Sequence, residues 1–219
     1  MSAYRDELRS SVYRAEKILN HILPKHVMET MKQEQTTAQE EYACVTIVFT
    51  DVTNFQRMCN ETTATDMMVT MERLWAEYDI LCLKWNVQRV QTVNDQFLGA
   101  VGIPDRQSDH AEQAAHFAMD LIKMARDFRT ETGERMLIRV GLNSGPVTAG
   151  LVGEVNPQWT IIGDAVNVSS RMESTSQAMR IHMTEATYNL IFDKGFMIEG
   201  PDVIEVKGKG KMVTYWIAE

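Results

Sequence analysis

Apolar positions in several parts of the chain show the β-branched content and bounded length that are typical of strands. Residues 43–50 form such a run and predict the first strand. Residues 87–93 and 96–101 predict two further strands around Asn94-Asp95. Because asparagine tolerates a left-handed backbone, this dipeptide predicts the turn of a β-hairpin.

Other segments carry apolar residues three or four positions apart, which is the period of an amphipathic helix. Residues 63–85 predict a long helix with Thr63 as its N-cap. Residues 108–130 predict a second long helix, and residues 165–173 predict a shorter one. Helices therefore alternate with strands along the chain.

The order of these elements predicts the fold class. Residues 137–142 and 147–152 predict one more strand pair, with Asn143-Ser144-Gly145-Pro146 as its turn. The resulting order predicts an α+β fold of ferredoxin-like type, with helices packed on one face of an antiparallel sheet. In that topology the end of the first strand lies beside the central hairpin, so Asp51 and Asp95 are expected to converge.

The N-terminal segment has a different pattern. Residues 4–23 predict a helix whose apolar positions alternate between four-residue and three-residue intervals, as in a coiled-coil seam. These positions are Leu8, Val12, Ala15, Leu19 and Ile22. The pattern fits a parallel dimer stalk or an amphipathic helix that packs on its own domain. We expect a short coiled-coil dimerisation helix within residues 1–32, a polar linker over 33–41 and a core domain over 42–219.

Composition narrows the class of protein. The net charge of −8 and the pI near 5.2 argue against non-specific nucleic-acid binding, which depends on neutralising phosphates. No apolar run reaches about 18 residues and no signal peptide is present, so we expect a cytoplasmic protein or the cytosolic part of a membrane-bound parent. Cys44, Cys59 and Cys82 lack metal-binding spacing and predict reduced thiols.

Two carboxylates are the leading candidates for chemistry. Asp51 closes the first predicted strand, and Asp95 lies in the turn of the predicted hairpin. An aspartate after a strand is often only a cap or a turn residue. A converging pair, however, is a means of holding magnesium ions against a triphosphate, because hard cations prefer carboxylate oxygens and retain phosphates as further ligands.

Five motifs occur along residues 42–217 in an order that is typical of one family. They are Phe49-Thr50-Asp51-Val52-Thr53-Asn54-Phe55, Thr92-Val93-Asn94-Asp95, Arg139-Val140-Gly141-Leu142-Asn143-Ser144-Gly145-Pro146-Val147, Gly163-Asp164-Ala165-Val166-Asn167-Val168-Ser169-Ser170-Arg171-Met172-Glu173-Ser174 and Val206-Lys207-Gly208-Lys209-Gly210. The chain closely resembles the class III nucleotidyl cyclases, the catalytic domains of adenylate and guanylate cyclases. The N-terminal helix resembles the signalling helix that often precedes such domains.

The resemblance implies a reaction and a metal site. The ribose 3′-hydroxyl of a nucleoside triphosphate attacks the α-phosphorus, expels pyrophosphate and closes a 3′,5′-cyclic nucleotide. Asp51 and Asp95 are expected to hold two Mg²⁺ ions, with help from the Val52 carbonyl and with Mn²⁺ able to substitute. One ion activates the hydroxyl while the other holds the β- and γ-phosphates.

The resemblance also implies roles for residues that bind the nucleotide. Arg171 is expected to stabilise the transition state at the α-phosphate, and Asn167 to orient the ribose. The remaining substrate contacts are expected from Asn54, Phe55, Arg139 and Lys207. Family members build each site across a dimer, and this chain carries both sets of residues, so the resemblance implies a homodimer coupled to an upstream sensor or membrane domain.

The base-reading positions depart from the family pattern. Adenylate cyclases typically carry Lys with Asp or Thr there, and guanylate cyclases carry Glu and Cys, whereas this chain has Gln91 and Thr160. The Gln91 amide matches adenine better than the donor-rich edge of guanine, and this favours ATP, with GTP as the alternative. Asn94 replaces the usual glycine before the second metal aspartate, a change that the turn is expected to accept.

Two other classes compete with an active cyclase. A weakly active cyclase-like module for dimerisation is disfavoured, because Asp51, Asp95, Asn167 and Arg171 are all present. A diguanylate cyclase or a polymerase palm shares the two-metal logic. The expected Gly-Gly-Asp/Glu-Glu/Asp-Phe hairpin is missing, however, and residues 93–97 stand in its place.

Overall fold

A computed structural model describes residues 39–153 and 157–218, together with Val12 and Val27. Apart from Val12, the predicted helix over 4–23, like most of the predicted linker, falls outside these residues and stays a prediction. The chain divides into two compact units, one formed by residues 41–148 and 161–219 and the other including residues 149–160. Every candidate site residue except Thr160 belongs to the first unit.

Eight strands and five helices are present in the described residues. In chain order they are β1 (Glu40–Val52), α1 (Phe55–Glu61), α2 (Ala64–Lys84), β2 (Gln88–Val93), β3 (Gln96–Val101), α3 (His110–Asp127), β4 (Ile138–Val152), β5 (Gln158–Ile162), α4 (Asp164–Ser174), β6 (Ile181–Thr184), α5 (Glu185–Ile191), β7 (Ile198–Val206) and β8 (Gly210–Ile217). Within the described ranges, none of the helices combines the length and the apolar character that crossing a membrane requires.

The strands form one sheet in the order β2-β3-β1-β4-β6-β8-β7, and β5 pairs with β4. Most of the pairs with a resolved register are antiparallel, including β1 with β3 and β7 with β8. One pair, β4 with β6, is parallel. The predicted α+β class is confirmed, and the sheet is mixed rather than wholly antiparallel.

Local signals in the sequence explain α2 and the central hairpin. The Thr63 hydroxyl accepts a hydrogen bond from the Asp66 N–H at 3.1 Å, as expected of an N-cap. In the hairpin, Val93 pairs with Gln96 and Asn94 has a φ of 54°, which is the left-handed conformation that asparagine tolerates. Both predictions are confirmed.

The predicted strand pair around residues 143–146 is wrong. Residues Ile138–Val152 form the single continuous strand β4, and Gly145-Pro146 lies inside it. The ladder with β6 ends at Leu142, so the N–H that Pro146 lacks is not needed in that ladder. A Gly-Pro dipeptide usually indicates a turn, and here it is part of an extended segment.

Helices cover both faces of the sheet. Val140 and Leu142 contribute to the buried core that also contains the apolar faces of α2 and α3. Gly141 between them points the other way, since successive strand residues face opposite sides. An added Cβ on Gly141 would lie 2.1 Å from the backbone nitrogen of Glu173 in α4. The expectation that helices pack on one face is therefore corrected, because α4 lies on the opposite face.

Polar contacts fix α4 on this face. The buried Ser169 hydroxyl donates to the carbonyl oxygens of Ile47 in β1 and Gly141 in β4, at 3.1 and 3.3 Å. The Asn143 side-chain amide donates to the carbonyl of Ala165 at 2.9 Å. These bonds hold the first and the middle turns of the helix against two neighbouring strands.

Replacing Gly141 by alanine should disturb α4, because the new methyl group meets helix backbone, which has no room to move away. We expect Gly141→Ala to lower the free energy of unfolding by about 1–3 kcal/mol. Gly150→Ala is a matched control, since its added Cβ lies 3.4 Å from the flexible side chain of Gln39. Urea denaturation of both variants provides the measurement, and equal losses would contradict the close approach of α4.

Candidate active site

Asp51 and Asp95 lie close together at the end of β1. The β1–β3 ladder extends to Thr50 opposite Phe97. The last residues of β1 therefore lie beside the β2–β3 hairpin. Burial raises the pKa of Asp95, and the negative charge of Asp51 raises it further, while N–H groups of Asp95 itself and of Val52 lower it. The predicted convergence of the two carboxylates thus agrees with the structure.

Arg139 pairs directly with Asp51. The Arg139 side chain, from β4, donates from Nε to Oδ1 at 2.8 Å and from Nη2 to Oδ2 at 2.7 Å. Burial alone would lower the pKa of Arg139, but its contacts with Asp51 and Glu173 raise it overall. The resemblance assigns this arginine to the outer phosphates, whereas in the structure it holds a predicted metal ligand.

Glu173 is a site residue that the sequence analysis missed. Its carboxylate accepts from Arg139 Nε at 2.5 Å, and only 4% of its side chain is exposed. Burial raises the pKa of Glu173 to about 7, with a further contribution from Asp51, while Arg139 opposes the rise. The sequence signal was weak, because Glu173 follows Ser169 by four residues but only the structure shows that this face of α4 is buried.

Asn167 and Arg171 lie on the other side of the same helix. Both residues are exposed and one helical turn apart, whereas Ser169 and Glu173 are buried. Among the described residues, no hydrogen bond or ion pair joins the Arg171 side chain to Asp51. The helix thus presents its two predicted catalytic residues outward and the Glu173 carboxylate inward.

Asn54 and Phe55 mark the start of α1. The Asn54 side chain accepts from the N–H of Leu137 at 3.1 Å and donates to the carbonyl of Arg135 at 3.0 Å. Phe55 is the first residue of the helix and is half-buried. The side chain of Asn54 therefore secures this turn, and a phosphate contact from the segment has to come from backbone N–H groups.

Lys207 lies at the tip of the β7–β8 hairpin and is exposed. The next lysine, Lys209, contacts the Asp164 carboxylate at 2.5 Å, and Asp164 is the first residue of α4. This exposed ion pair connects the hairpin that carries Lys207 to the helix that carries Arg171.

The two base-reading candidates belong to different compact units. Gln91 is exposed on β2, directly after an irregularity in the β2–β3 register. Thr160 is half-buried on β5. Each of them has a side chain that both donates and accepts hydrogen bonds.

The oxygen ligands at the end of β1 suit a magnesium ion only if a phosphate supplies further ligands. Within the described parts of the chain, no group of three or more His, Cys, Asp or Glu side chains is arranged to hold a metal. Asp51 and Asp95 offer two carboxylates, and Val52 adds a backbone carbonyl. Mg²⁺ commonly binds through one or two carboxylates plus substrate phosphates, so this oxygen set suits a metal–nucleotide complex.

The pKa of Glu173 predicts a pH dependence of stability. The folded chain binds this proton more tightly than the unfolded chain does, so the stability that Glu173 contributes is fully present below about pH 4.5 and is lost as the pH rises through about 7. We expect the free energy of unfolding to fall by about 1–3 kcal/mol over this window through Glu173. Urea denaturation at several pH values measures it. Glu173→Gln should flatten this part of the profile, and an unchanged slope would contradict the assignment.

Comparison with known proteins agrees with this geometry. Residues 37–219 match the family model of the adenylate and guanylate cyclase catalytic domain. The receptor-type guanylate cyclase gcy-28 of Caenorhabditis elegans is 33% identical in an alignment that covers 96% of this chain and 17% of that protein. The chain thus spans about a sixth of the length of this curated relative.

Solved structures show the same fold. The guanylate cyclase domain of RhGC from Catenaria anguillulae in complex with GTP is 50% identical, with a TM-score of 0.80 over 82% of this chain and 98% of that one. The catalytic core of a rhodopsin-guanylyl cyclase with converted specificity in complex with ATPalphaS is also 50% identical, with a TM-score of 0.79 over 82% and 97%. This chain therefore belongs to the adenylate and guanylate cyclase catalytic domain family.

Proposed function

We propose that the chain is a guanylate cyclase domain that converts GTP into 3′,5′-cyclic GMP and pyrophosphate. The observation that carries the reaction type is the convergence of Asp51 and Asp95 at one end of β1 in a member of this family. Their oxygens would hold a divalent cation together with the phosphates of the nucleotide.

The proposed reaction is an in-line displacement. The ribose 3′-hydroxyl gives up its proton to water and its oxygen forms a bond to the α-phosphorus. The bond from that phosphorus to the oxygen shared with the β-phosphate breaks, and pyrophosphate leaves with the electron pair. Mg²⁺ bound by Asp51, Val52 and Asp95 would supply charge neutralisation and a lower pKa for the 3′-hydroxyl. Arg171 would stabilise charge that develops at the α-phosphate, because its guanidinium is always protonated.

Other residues would bind and orient the substrate. Asn167 would hold the ribose, and Lys207 would neutralise the outer phosphates from the hairpin tip. Arg139 would join Lys207 there once it leaves Asp51. The N–H groups at Asn54 and Phe55 would contact phosphate oxygens at the start of α1.

The exposure of Asn167 and Arg171 supports a site shared between two copies of the chain. Both side chains point away from the face of α4 that contacts the sheet, whereas Asp51 is nearly buried. A second copy would bring its own Asn167 and Arg171 to the aspartates of the first, so a homodimer would contain two equivalent sites. In a longer parent protein, the N-terminal segment would connect this dimer to an upstream domain.

The choice of GTP departs from the preference for ATP that the sequence favoured and takes up its alternative. Several relatives are guanylate cyclases by name, among them gcy-28, the soluble subunit beta-2 and RhGC, and they do not support that preference. Gln91 and Thr160 also fit guanine, because an amide rotated by half a turn presents its oxygen to N1–H and a hydroxyl donates to O6. The same two residues differ from the usual guanylate pair, and this keeps ATP as the second candidate substrate.

Product analysis should show cyclic GMP as the main product. The purified chain is incubated at high concentration with Mg²⁺ or Mn²⁺ and either GTP or ATP, and the products are separated by chromatography. We expect a higher kcat/KM for GTP, and Asp95→Ala should reduce turnover at least about a hundredfold, since it removes a metal ligand. Preferential formation of cyclic AMP would assign the second candidate, and turnover by Asp95→Ala would refute the two-metal site.

Complementation tests the shared site. Asp95→Ala and Arg171→Ala should each be inactive alone, because each destroys both sites of its own homodimer. In an equimolar mixture, half of the dimers are mixed and each holds one intact site, so activity should recover to about a quarter of the wild-type value. Failure to recover, in mixtures shown by labelled subunits to have exchanged, would place both residues in one protomer's site.

A further inference from the structure

The contact between Arg139 and Asp51 uses the atoms that a metal ion would need. Both carboxylate oxygens of Asp51 accept hydrogen bonds from the guanidinium, one from Nε and one from Nη2. Only 11% of the Asp51 side chain is exposed, so the oxygens have little other access to solvent. A divalent cation and this arginine therefore compete for the same lone pairs.

The competition has an electrostatic component as well as a geometric one. A bidentate guanidinium–carboxylate pair is among the stronger charge-assisted hydrogen bonds. A cation that binds Asp51 would also approach the positive charge of Arg139 in a partly buried site, where charges interact more strongly than in water. Arg139 must consequently move away from Asp51 before a metal can bind there fully.

Glu173 offers the displaced arginine a second partner. Its carboxylate accepts from Arg139 Nε at 2.5 Å, and 4% of its side chain is exposed against 28% for Arg139. The backbone at Glu173 is fixed, since α4 contacts β4 at Gly141. Arg139 is thus free to give up Asp51 while it remains bonded to an acceptor that does not move.

We propose that Arg139 is a built-in competitor of the metal at Asp51, and that Glu173 is the positioning residue that retains Arg139 beside the site when the metal displaces it. The inference rests on the proposed metal site. It implies that the nucleotide-free chain binds divalent cations weakly. It also implies that nucleotide and metal favour each other's binding, because phosphates give Arg139 a new partner.

Mn²⁺ binding to the nucleotide-free chain tests the competition. Free Mn²⁺ is measured by electron paramagnetic resonance for the wild type and for Arg139→Lys, which keeps the charge and loses the bidentate geometry. We expect Arg139→Lys to bind Mn²⁺ about fivefold more tightly or better. Unchanged affinity would overturn the proposal, since a purely long-range charge effect would be the same for lysine.

A double-mutant cycle tests the role of Glu173. Loss of the Glu173 charge should weaken Mn²⁺ binding both in the wild type and in Arg139→Lys. In the wild type, the displaced Arg139 also loses its partner, so Mn²⁺ binding should weaken further there. Glu173→Gln reduces the Mn²⁺ affinity by some factor in each of the two proteins. We expect this factor to be at least about three times as large in the wild type as in Arg139→Lys. Equal factors would show that Glu173 acts through its charge alone and would overturn its positioning role.

A control separates this inference from the proposed function. Asp95→Asn should weaken Mn²⁺ binding whether or not Arg139 competes, so weakening there together with unchanged affinity in Arg139→Lys refutes only the competition. No weakening in Asp95→Asn would refute the metal site itself, and the inference with it. Circular dichroism tests whether each variant is folded, and the Arg139→Lys comparison decides the competition even if Glu173→Gln does not fold.

Discussion

The charge balance around Arg139 is the interaction on which the rest of the site depends. Asp51 and Glu173 both accept hydrogen bonds from Arg139, and the charge of Asp51 raises the pKa of both Asp95 and Glu173 while Arg139 lowers both. Paired buried charges are tolerated, whereas unpaired ones shift their pKa or destabilise the fold. Arg139 therefore allows a predicted metal site to exist in the folded chain before any metal arrives.

Helix α4 connects this charge balance to the nucleotide. Its buried face contacts the sheet at Gly141 and carries Glu173 towards Arg139, while its exposed face carries Asn167 and Arg171. The same helix thus positions Arg139 beside the metal site of its own protomer through Glu173. In the proposed dimer it would also bring Asn167 and Arg171 to the partner's site. Any shift of α4 would disturb both functions together.

The residues that would read the base indicate the substrate less clearly than the metal and phosphate residues indicate the reaction. At the metal-binding and phosphate-binding positions, the residue type alone indicates the ligand. Hard cations bind carboxylate oxygens, and phosphates bind permanently charged side chains. Gln91 and Thr160 carry groups that donate and accept, so either purine can be paired by rotation of a side chain. The family relationship, rather than these two residues, supports the proposal of GTP.

The sequence by itself determined the secondary-structure elements with clear local periodicity, the family and the residue types for a metal and a triphosphate. It predicted α2 with its Thr63 cap and the hairpin at Asn94, since both are specified by neighbouring residues. Only the tertiary structure decided that β4 continues through Pro146, that α4 lies on the opposite face, and that Arg139 pairs with Asp51. Those outcomes depend on which strands become neighbours, and Asp51 and Arg139 are 88 residues apart, a separation at which local pattern carries no information.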